Sequence, residues 1–432
     1  MKAQPGKDLI IFGSGSIVSE LTRHGLIDEY RFAVCLVLLG SGQSLVRGVP
    51  KRLPLDLLEA KRLPSGDDHP SLCTVDARVA VSHPNASVRP PNGVILTKVS
   101  RNQQMATNPA KRQVSTSKSS VIRWLLDSDP SIRWQVMRDL TDAPADEVAA
   151  ERAEVATEGA GARLLALQAP DGRWGGAAWN RGWDSTMHVL SLLREMGLDP
   201  ASDEARRAVG LVRDRVTWQG CGPQEADDNP FFAGEVEPCI NGQVGAVGAY
   251  FGQDVRGIVD RLLAEQLPDG GWNCEAANGS TRSSFNTTIC VLEALLEHER
   301  ARRGSPEVTG ARLRGQEYLL ERRLFRRRST GEVIERDRKG GAAWTRFAFP
   351  TWWHYDVLRG LEYLRRAGVA PDERVAEAID LVASKRDDDG RWPLETRYPG
   401  RMPVETDEGE GRPSRWNTLR ALRVLDWYSA RD

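Results

Sequence analysis

The sequence predicts two unlike parts: a large all-α domain built as a ring of helix pairs, and a small α/β segment that precedes it. Three observations support this division. Apolar residues recur with helical spacing in the C-terminal part of the chain, at 185–196, 255–266, 287–300 and 417–428. A turn that ends in Gly-x-Trp occurs three times in the same part. All 13 tryptophans lie at or beyond Trp124.

Composition narrows the class of protein. The 432 residues include 59 Lys+Arg and 60 Asp+Glu, so the net charge is -1. We expect no nucleic-acid partner, because no basic surplus is available to attract one. We also expect no transmembrane segment and no secretory signal, since no apolar run is long enough. Six cysteines in a chain of this length are typical of a protein from the reducing cytoplasm.

The N-terminal segment reads as strand, turn, helix and strand. The apolar run 9–12 is followed at once by Gly13, Ser14, Gly15 and Ser16, then by a brief helical pattern and a β-rich stretch at 30–39. Unpaired backbone N–H groups at such a turn, with the helix dipole behind them, favour a bound phosphate. A tight turn without a ligand explains the same residues.

The run KDLIIFGSGSIVSELTRHGLIDEYRFAV resembles the C-terminal end of the dihydrofolate-reductase-like family that includes the reductase half of the riboflavin deaminase-reductase. The resemblance covers about residues 7–63. It implies that the Gly13–Ser16 turn contacts NADPH. Leu36 stands where the family usually has proline, and the N-terminal two thirds of the reductase are absent. A piece of this size has unpaired strand edges and little core. We therefore expect residues 1–66 to be a truncated remnant.

Residues 67–117 are predicted to be a disordered linker. Prolines are scattered there among Ser, Thr, Asn and Arg. Such a stretch buries too little apolar surface to offset its ordering entropy.

The repeated turn motif defines the large domain, residues 118–432. Its copies are QAPDGRW at 168–174, QLPDGGW at 266–272 and RDDDGRW at 386–392. Each Asp-Gly is expected to end a helix in a left-handed turn. The tryptophan then folds back onto the helix pair, where its N–H needs a partner. The spacing allows two helical hairpins between copies and suits a ring of helix pairs.

A second repeat precedes the apolar helices: an aromatic residue, then Asp or Asn, then in most copies Ser or Thr. Its polar members are Asp184, Asn286, Asp356 and Asn417. Short polar side chains at these places are typical of helix N-caps, and capping is the simplest interpretation.

The Gln-x3-Gly-x-Trp motif resembles the repeat of the squalene cyclase and protein prenyltransferase superfamily, over essentially all of 160–428. The resemblance implies an α/α toroid. Such a toroid would enclose an apolar pocket for an isoprenoid or another lipid. We expect its lining to include Trp183, Phe285, Trp352, Trp353 and Trp416, although these aromatic side chains also suit a solid core. Its candidate rim residues are Asp184, Asn286, His354, Asp356 and Asn417.

No catalytic residue is assigned. The Asp-x-Asp-Asp acid of the cyclases is missing, so squalene cyclisation by the standard mechanism is not expected. The prenyltransferase branch binds zinc, and Glu237, Cys239 and His354 are the candidate ligands, with Cys274 and Asp356 as alternates. The simpler interpretation makes Cys239 a core residue and His354 a helix cap.

The basic run at 322–328 is either a solvated helix end or a contact for a diphosphate or a membrane surface. Three functions remain open: binding of an apolar isoprenoid-like ligand without a defined reaction, a zinc-dependent prenyl-transfer site, and an NADPH-dependent reductase at residues 1–66. The sequence does not specify the ligand or the oligomeric state.

Overall fold

The structure of the chain is a computed structural model. It describes the backbone of residues 29–35, 55–63 and 74–81, and residues 120–218, 228–302, 304–334 and 343–430. The chain divides into two compact units, residues 1–105 and 106–432. Each unit is described by itself.

The described part of the N-terminal unit is an antiparallel sheet of three strands, β1 (Glu29–Cys35), β2 (Leu55–Leu63) and β3 (Thr74–Val81), in the order β1-β3-β2. Strand β3 lies inside the range 67–117, where a disordered linker was predicted. Its sequence TVDARVAV alternates apolar and polar residues at the start, a period that suits a strand. The linker prediction therefore does not hold for these residues.

The second unit is mostly helical, as predicted. A helical segment at 120–126 comes first. The helices that follow are α1 (Pro130–Leu140), α2 (Ala145–Ala153), α3 (Gly159–Ala166), α4 (Thr186–Met196), α5 (Asp203–Arg215), α6 (Pro238–Tyr250), α7 (Arg256–Ala264), α8 (Phe285–Arg302), α9 (Pro306–Leu320), α10 (Val357–Arg366), α11 (Ala376–Ser384) and α12 (Arg415–Ser429). The short strands β4 (Trp392–Pro393) and β5 (Pro413–Ser414) pair before α12. Among the described residues, none of the helices has the length and apolarity needed to cross a bilayer.

Within the described residues, six helices contact one another in succession: α1, α4, α6, α8, α10 and α12. We call them the helical cycle, because α12 also packs against α1. The α1–α4 contact includes hydrogen bonds from Trp134 Nε1 to Met196 O (2.9 Å) and from Gln135 Nε2 to Glu195 O (3.1 Å). The helices α3, α7, α9 and α11 each pack on one or two members of the cycle.

The three Gly-x-Trp turns have the same construction. Their glycines Gly172, Gly270 and Gly390 all have φ between 82° and 93°, in the left-handed region. Each indole is fully buried and donates its N–H to a carbonyl ten residues earlier, in the helix that the turn ends. These bonds are Trp174 to Leu164 (2.7 Å), Trp272 to Leu262 (2.6 Å) and Trp392 to Val382 (2.7 Å). The expected fold-back of the tryptophans is therefore present.

The glutamine of the motif links two helix pairs. Gln168 Nε2 donates to Gly172 O and to Ala208 O in α5, and Gln266 Nε2 donates to Gly270 O and to Ala311 O in α9. The third copy has an arginine at this position, which lies over the ring of its own tryptophan. The glutamine thus fixes each of the first two turns to the second α-helix that follows it along the chain.

Helix α6 approaches α8 unusually closely because of its glycines. A Cβ placed at Gly242 would lie 2.6 Å from the backbone carbon of Cys290 in α8. At Gly248 it would lie 2.3 Å from a Val255 methyl group. Glycine at 242 therefore allows α6 to pack directly on the α8 backbone, and glycine at 248 leaves room for the Val255 side chain.

Candidate functional site

The short polar residues of the second repeat do more than cap helices. Asp356 is a true N-cap, since its carboxylate accepts from Arg359 N at 2.7 Å. Asn286 lies within α8 and accepts from Tyr355 N at 2.8 Å. Asn417 lies within α12, whose N-cap is Ser414, and donates to Pro393 O at 3.0 Å. The capping interpretation is thus wrong for the two asparagines.

Asp184 is also not a cap. Helix α4 begins after Ser185, and Asp184 instead accepts from Asn180 Nδ2 at 2.9 Å.

The threonines of this repeat carry a role that the sequence did not reveal. Their hydroxyl groups accept from the backbone N–H of the motif tryptophan at the preceding turn. The pairs are Thr186 with Trp174 (3.2 Å), Thr288 with Trp272 (3.0 Å) and Thr418 with Trp392 (2.9 Å). The two repeats are therefore parts of one structural unit.

Aromatic side chains cover one end of the helical cycle, next to the N-termini of α4, α10 and α12. Trp183 stacks on Trp352 with ring centroids 5.1 Å apart, and His188 meets both rings edge-on. Trp416 stacks on Phe349 at 4.2 Å. Of the five aromatic residues expected to line an apolar cavity, Trp183 and Trp352 therefore stack on each other, and Trp416 stacks on a further aromatic ring.

Two further aromatic residues from that set pack on other aromatic rings. Phe285 packs against Trp344, Tyr355 and Tyr318. Trp353 stacks on His354, whose centroid is 3.8 Å away.

His188 is held neutral beneath this layer. Burial lowers the pKa of its imidazole to about 3. Its Nδ1 lies 2.8 Å from Ser185 Oγ. A charged imidazole is therefore excluded from the site at neutral pH.

Behind the aromatic layer lies a pocket that we call the central pocket. Its cavity volume is about 50 Å³, and five helices of the cycle line it together with the segment 349–352. The lining residues are Ser191, Leu192, Arg194 and Glu195 of α4, Gln243 of α6, Glu293 of α8, Phe349, Pro350, Thr351 and Trp352, Arg359, Glu362, Tyr363 and Arg366 of α10, and Arg420 of α12. Eleven of its fifteen lining residues are polar or charged, which differs from the apolar lining that was expected.

A buried ion network occupies one wall of the central pocket. Glu293 accepts from Arg359 Nε at 2.8 Å and from Arg194 Nη2 at 3.0 Å, so it joins α8 to α10 and α4. Burial raises the pKa of Glu293, but the two guanidinium groups outweigh burial and leave it well below its usual range. The carboxylate is therefore ionised at neutral pH.

A second, smaller pocket shares Phe349, Pro350 and Trp352 with the central pocket. Its remaining lining is Leu394, Arg397, Tyr398, Met402, Glu405, Thr406 and Asp407. Burial raises the pKa of Asp407 to about 7, although its carboxylate accepts from Ser414 Oγ at 2.8 Å and from Arg415 N at 3.0 Å. Half of the Asp407 side chains thus carry a proton near neutral pH.

Glu237, Cys239 and Cys274 converge at the N-terminus of α6. One ligand atom of each lies within 4.8 Å of the other two. Cys239 Sγ is 3.6 Å from Glu237 Oε2, and Cys274 Sγ is 3.5 Å from Thr287 Oγ1. The group contains Cys274, which the sequence offered as an alternate ligand, and does not contain His354.

Two other sequence-based predictions concern the Gly-rich turn and the basic run. The turn Gly13, Ser14, Gly15 and Ser16 lies outside the described residues. In the basic run at 322–328, Arg326 pairs with Glu377 and Arg328 with Glu321. These arginines therefore have partners within the chain.

The central ion network was not predicted from the sequence. Its signal was a charged residue placed directly after two apolar residues in each of three helices: Arg194 in LLREM, Glu293 in VLEAL and Arg359 in VLRGL. Charged residues at buried positions are expected to pair with one another.

Comparison with known proteins finds a family match for the N-terminal segment. The family model of the RibD C-terminal domain matches residues 1–66. Over 66 residues the chain is 33% identical to the uncharacterized protein YyaP of Bacillus subtilis (strain 168). This match covers 15% of the chain and 35% of the relative's length, so the chain spans about a third of that protein.

Solved structures of type II terpene cyclase MstE from Scytonema are similar to most of the chain. The apo enzyme is 17% identical, with a TM-score of 0.37, and the match covers 74% of this chain and 98% of that one. A variant in complex with geranylgeranyl dihydroxybenzoate, its substrate, is 16% identical with a TM-score of 0.35, over 74% and 97% of the two chains. The resemblance of residues 1–66 to the deaminase-reductase family is confirmed, and type II terpene cyclases are among the structural neighbours of the chain.

Proposed function

We propose that the helical unit is an α/α toroid that binds a small amphiphilic, isoprenoid-like molecule in the central pocket. The helical cycle carries this proposal: six helices follow one another in contact, the last meets the first, and the pocket lies where five of them converge. Pockets between the helices of a bundle are common sites for small ligands.

The polar lining changes the expected ligand. A purely apolar chain would leave the charged groups of α4, α8 and α10 facing hydrocarbon, which is costly. Leu192, Phe349, Pro350 and Trp352 supply the apolar part of the lining. An isoprenoid-like molecule with one polar end satisfies both kinds of wall.

The full-length chain offers a direct test, because Trp352 lines the pocket. Titration with geranylgeraniol is expected to change the tryptophan fluorescence in a saturable way. Trp352→Phe should reduce the change, whereas Trp427→Phe, at the far end of α12, should not. Native mass spectrometry of the protein from its own host should show a bound lipid. The proposal fails if both measurements detect no ligand.

A zinc site is a second candidate, favoured by the convergence of Glu237, Cys239 and Cys274. Two thiols and a carboxylate suit zinc and leave one coordination position open. Zinc bound in this way would act as a Lewis acid towards a ligand oxygen or thiol. The protein would contribute Glu237 and Cys239 from the start of α6 and Cys274 from the loop before α8.

Metal analysis of the full-length chain tests this second candidate. About one zinc per chain is expected, and Cys274→Ser should remove most of it. Cys290→Ser is the matched control, because Cys290 is buried outside the group and bonds to Trp353 O. Absence of stoichiometric zinc from the unmodified protein would end the proposal.

For residues 1–66, the RibD C-terminal domain match supports an NADPH-dependent reductase activity as a further candidate. Since the chain spans 35% of the matched relative, this activity is a proposal only. Fluorescence titration with NADPH decides it. If the chain binds NADPH and Gly15→Asp abolishes the binding, the Gly13–Ser16 turn is supported as the cofactor contact. No measurable NADPH binding would exclude the reductase activity.

A further inference from the structure

Several polar atoms of the central pocket have no hydrogen-bond partner within the described residues. They are Nε and Nη1 of Arg194, Oε1 of Gln243 and Oγ of Ser191. Arg194 is 8% exposed and Gln243 6% exposed, so solvent does not readily reach them. Buried polar groups without partners are rare in folded proteins and call for an explanation.

Among the described arginines that line the pocket, Arg194 alone has buried N–H groups that lack a hydrogen-bond partner. Arg359 is paired with Glu293, Arg366 with Glu297 and Arg420 with Asp356. Arg194 uses only its Nη2 atom, which donates to Glu195 and Glu293. Its Nε–H and Nη1–H groups remain available.

The unpartnered atoms belong to neighbouring helices. Ser191 and Arg194 lie one turn apart on α4, and Gln243 lies on α6, which packs against α4. The Gln243 amide is oriented by its Nε2–H, which donates to Cys239 O at 3.2 Å, so its oxygen is the free atom. The site therefore offers guanidinium donors, one carbonyl acceptor and a hydroxyl.

We infer that this part of the central pocket binds a ligand that has an oxyanion, a carboxylate or a phosphate ester, and a hydroxyl group close to it, as in a 2-hydroxy acid. The inference rests on the proposal that the pocket binds a small amphiphile, and it specifies the polar end of that molecule. The oxyanion accepts from Arg194 and Ser191, and the ligand hydroxyl donates to Gln243 Oε1. Hydrogen bonds that involve a charged group are about twice as strong as neutral ones.

Four amphiphiles with the same chain length test the inference on the full-length protein. They are decanoate, 2-hydroxydecanoate, decyl phosphate and 1,2-decanediol, titrated by calorimetry. We expect 2-hydroxydecanoate to bind about tenfold more tightly than decanoate and the neutral diol to bind most weakly. The decanoate and decyl phosphate arms distinguish carboxylate from phosphate as the preferred anion.

Variants assign the effect to residues. Arg194→Lys keeps the charge beside Glu293 and is expected to weaken 2-hydroxydecanoate about tenfold. Gln243→Met leaves the ion network intact and should remove the preference for the hydroxylated acid while decanoate binding stays the same. Arg206→Lys on α5, an exposed arginine, is the matched control.

The outcomes separate the two proposals. If the diol binds as well as the acids, or if neither variant changes the affinity of 2-hydroxydecanoate, the oxyanion inference is wrong. Geranylgeraniol binding would then still support the proposed function. If none of the amphiphiles and no isoprenoid binds, the proposed function itself is wrong.

Discussion

Glu293 is the residue whose neutralisation should affect the helical unit most. Its carboxylate accepts three hydrogen bonds from Arg359 and Arg194, at 2.8, 3.1 and 3.0 Å, and all three side chains are at most 8% exposed. Glu293→Gln removes the negative charge and leaves two buried guanidinium groups poorly compensated. Breaking a buried ion pair costs about 3–5 kcal/mol. In a domain of this size that corresponds to a fall in Tm of roughly 5–10 °C.

The pH dependence gives this prediction a second, independent readout. The pKa of Glu293 is lowered from 4.5 in the folded protein, so below about pH 4.5 the unfolded chain binds a proton that the folded chain does not. The wild type therefore loses stability as the pH falls, and Glu293→Gln does not lose this contribution. The difference in free energy of unfolding between the wild type and Glu293→Gln should be constant from pH 6 to pH 8 and should become smaller towards pH 3.

Urea unfolding followed by tryptophan fluorescence measures both effects. Glu317→Gln is the control, because Glu317 is half exposed and pairs with Arg374 at 2.7 Å. It should cost less than about 1 kcal/mol. The reasoning is refuted if Glu293→Gln costs no more than this control at pH 7, or if its cost does not depend on pH below 4.5.

Three further changes test the packing and the second pocket. Burial raises the pKa of Asp407 to about 7, so the free energy of unfolding of the wild type should fall as the pH rises from about 4 to 7. Asp407→Asn does not show this fall. By urea unfolding at pH 8, the variant should be more stable than the wild type by up to about 4 kcal/mol. Gly242→Ala should lower the free energy of unfolding by about 1–3 kcal/mol, because the added Cβ would meet the backbone of Cys290. Gly257→Ala on α7 is the control: its Cβ would have no atom within 4 Å, so the change should be neutral or stabilising. Trp272→Phe should lower the free energy of unfolding by about 2–3 kcal/mol and should lower the Tm, because the variant loses a buried hydrogen bond and ring volume. Unchanged stability would contradict the structural role of the repeated turn.

Local sequence was enough to predict the repeated turns. Asp-Gly followed by x-Trp encodes a left-handed residue and a buried indole within a few positions, and the structure shows both at Gly270 and Trp272. The role of Thr288 was not predictable in this way, because its hydroxyl bonds a backbone group 16 residues away. A polar residue before an apolar helix looks like a cap from sequence alone, and only the fold shows which atom it meets.

The interior of the helical unit was predicted least well, for a physical reason. An apolar cavity was inferred from aromatic residues near the helix starts, yet the rings of Trp183 and Trp352 stack on each other. Sequence patterns report how apolar a helix face is, but they do not report whether that face meets another helix or an open space. Similarly, Glu237 and Cys239 were recognisable as a pair by spacing, whereas Cys274 joins them only through the packing of α6 against α8.

The ion network explains how helices of this cycle surround a space without filling it with hydrocarbon. The long side chains of Arg194 on α4, Glu293 on α8 and Arg359 on α10 meet in this space, and their pairing offsets the cost of burying charge. Groups that are fully paired gain little from a ligand, since binding would exchange one good partner for another. Binding energy must therefore come from the atoms that still lack partners, on Ser191, Arg194 and Gln243. A pocket of this kind should discriminate among ligands by the position of one or two oxygens, and only weakly by the length of the apolar chain.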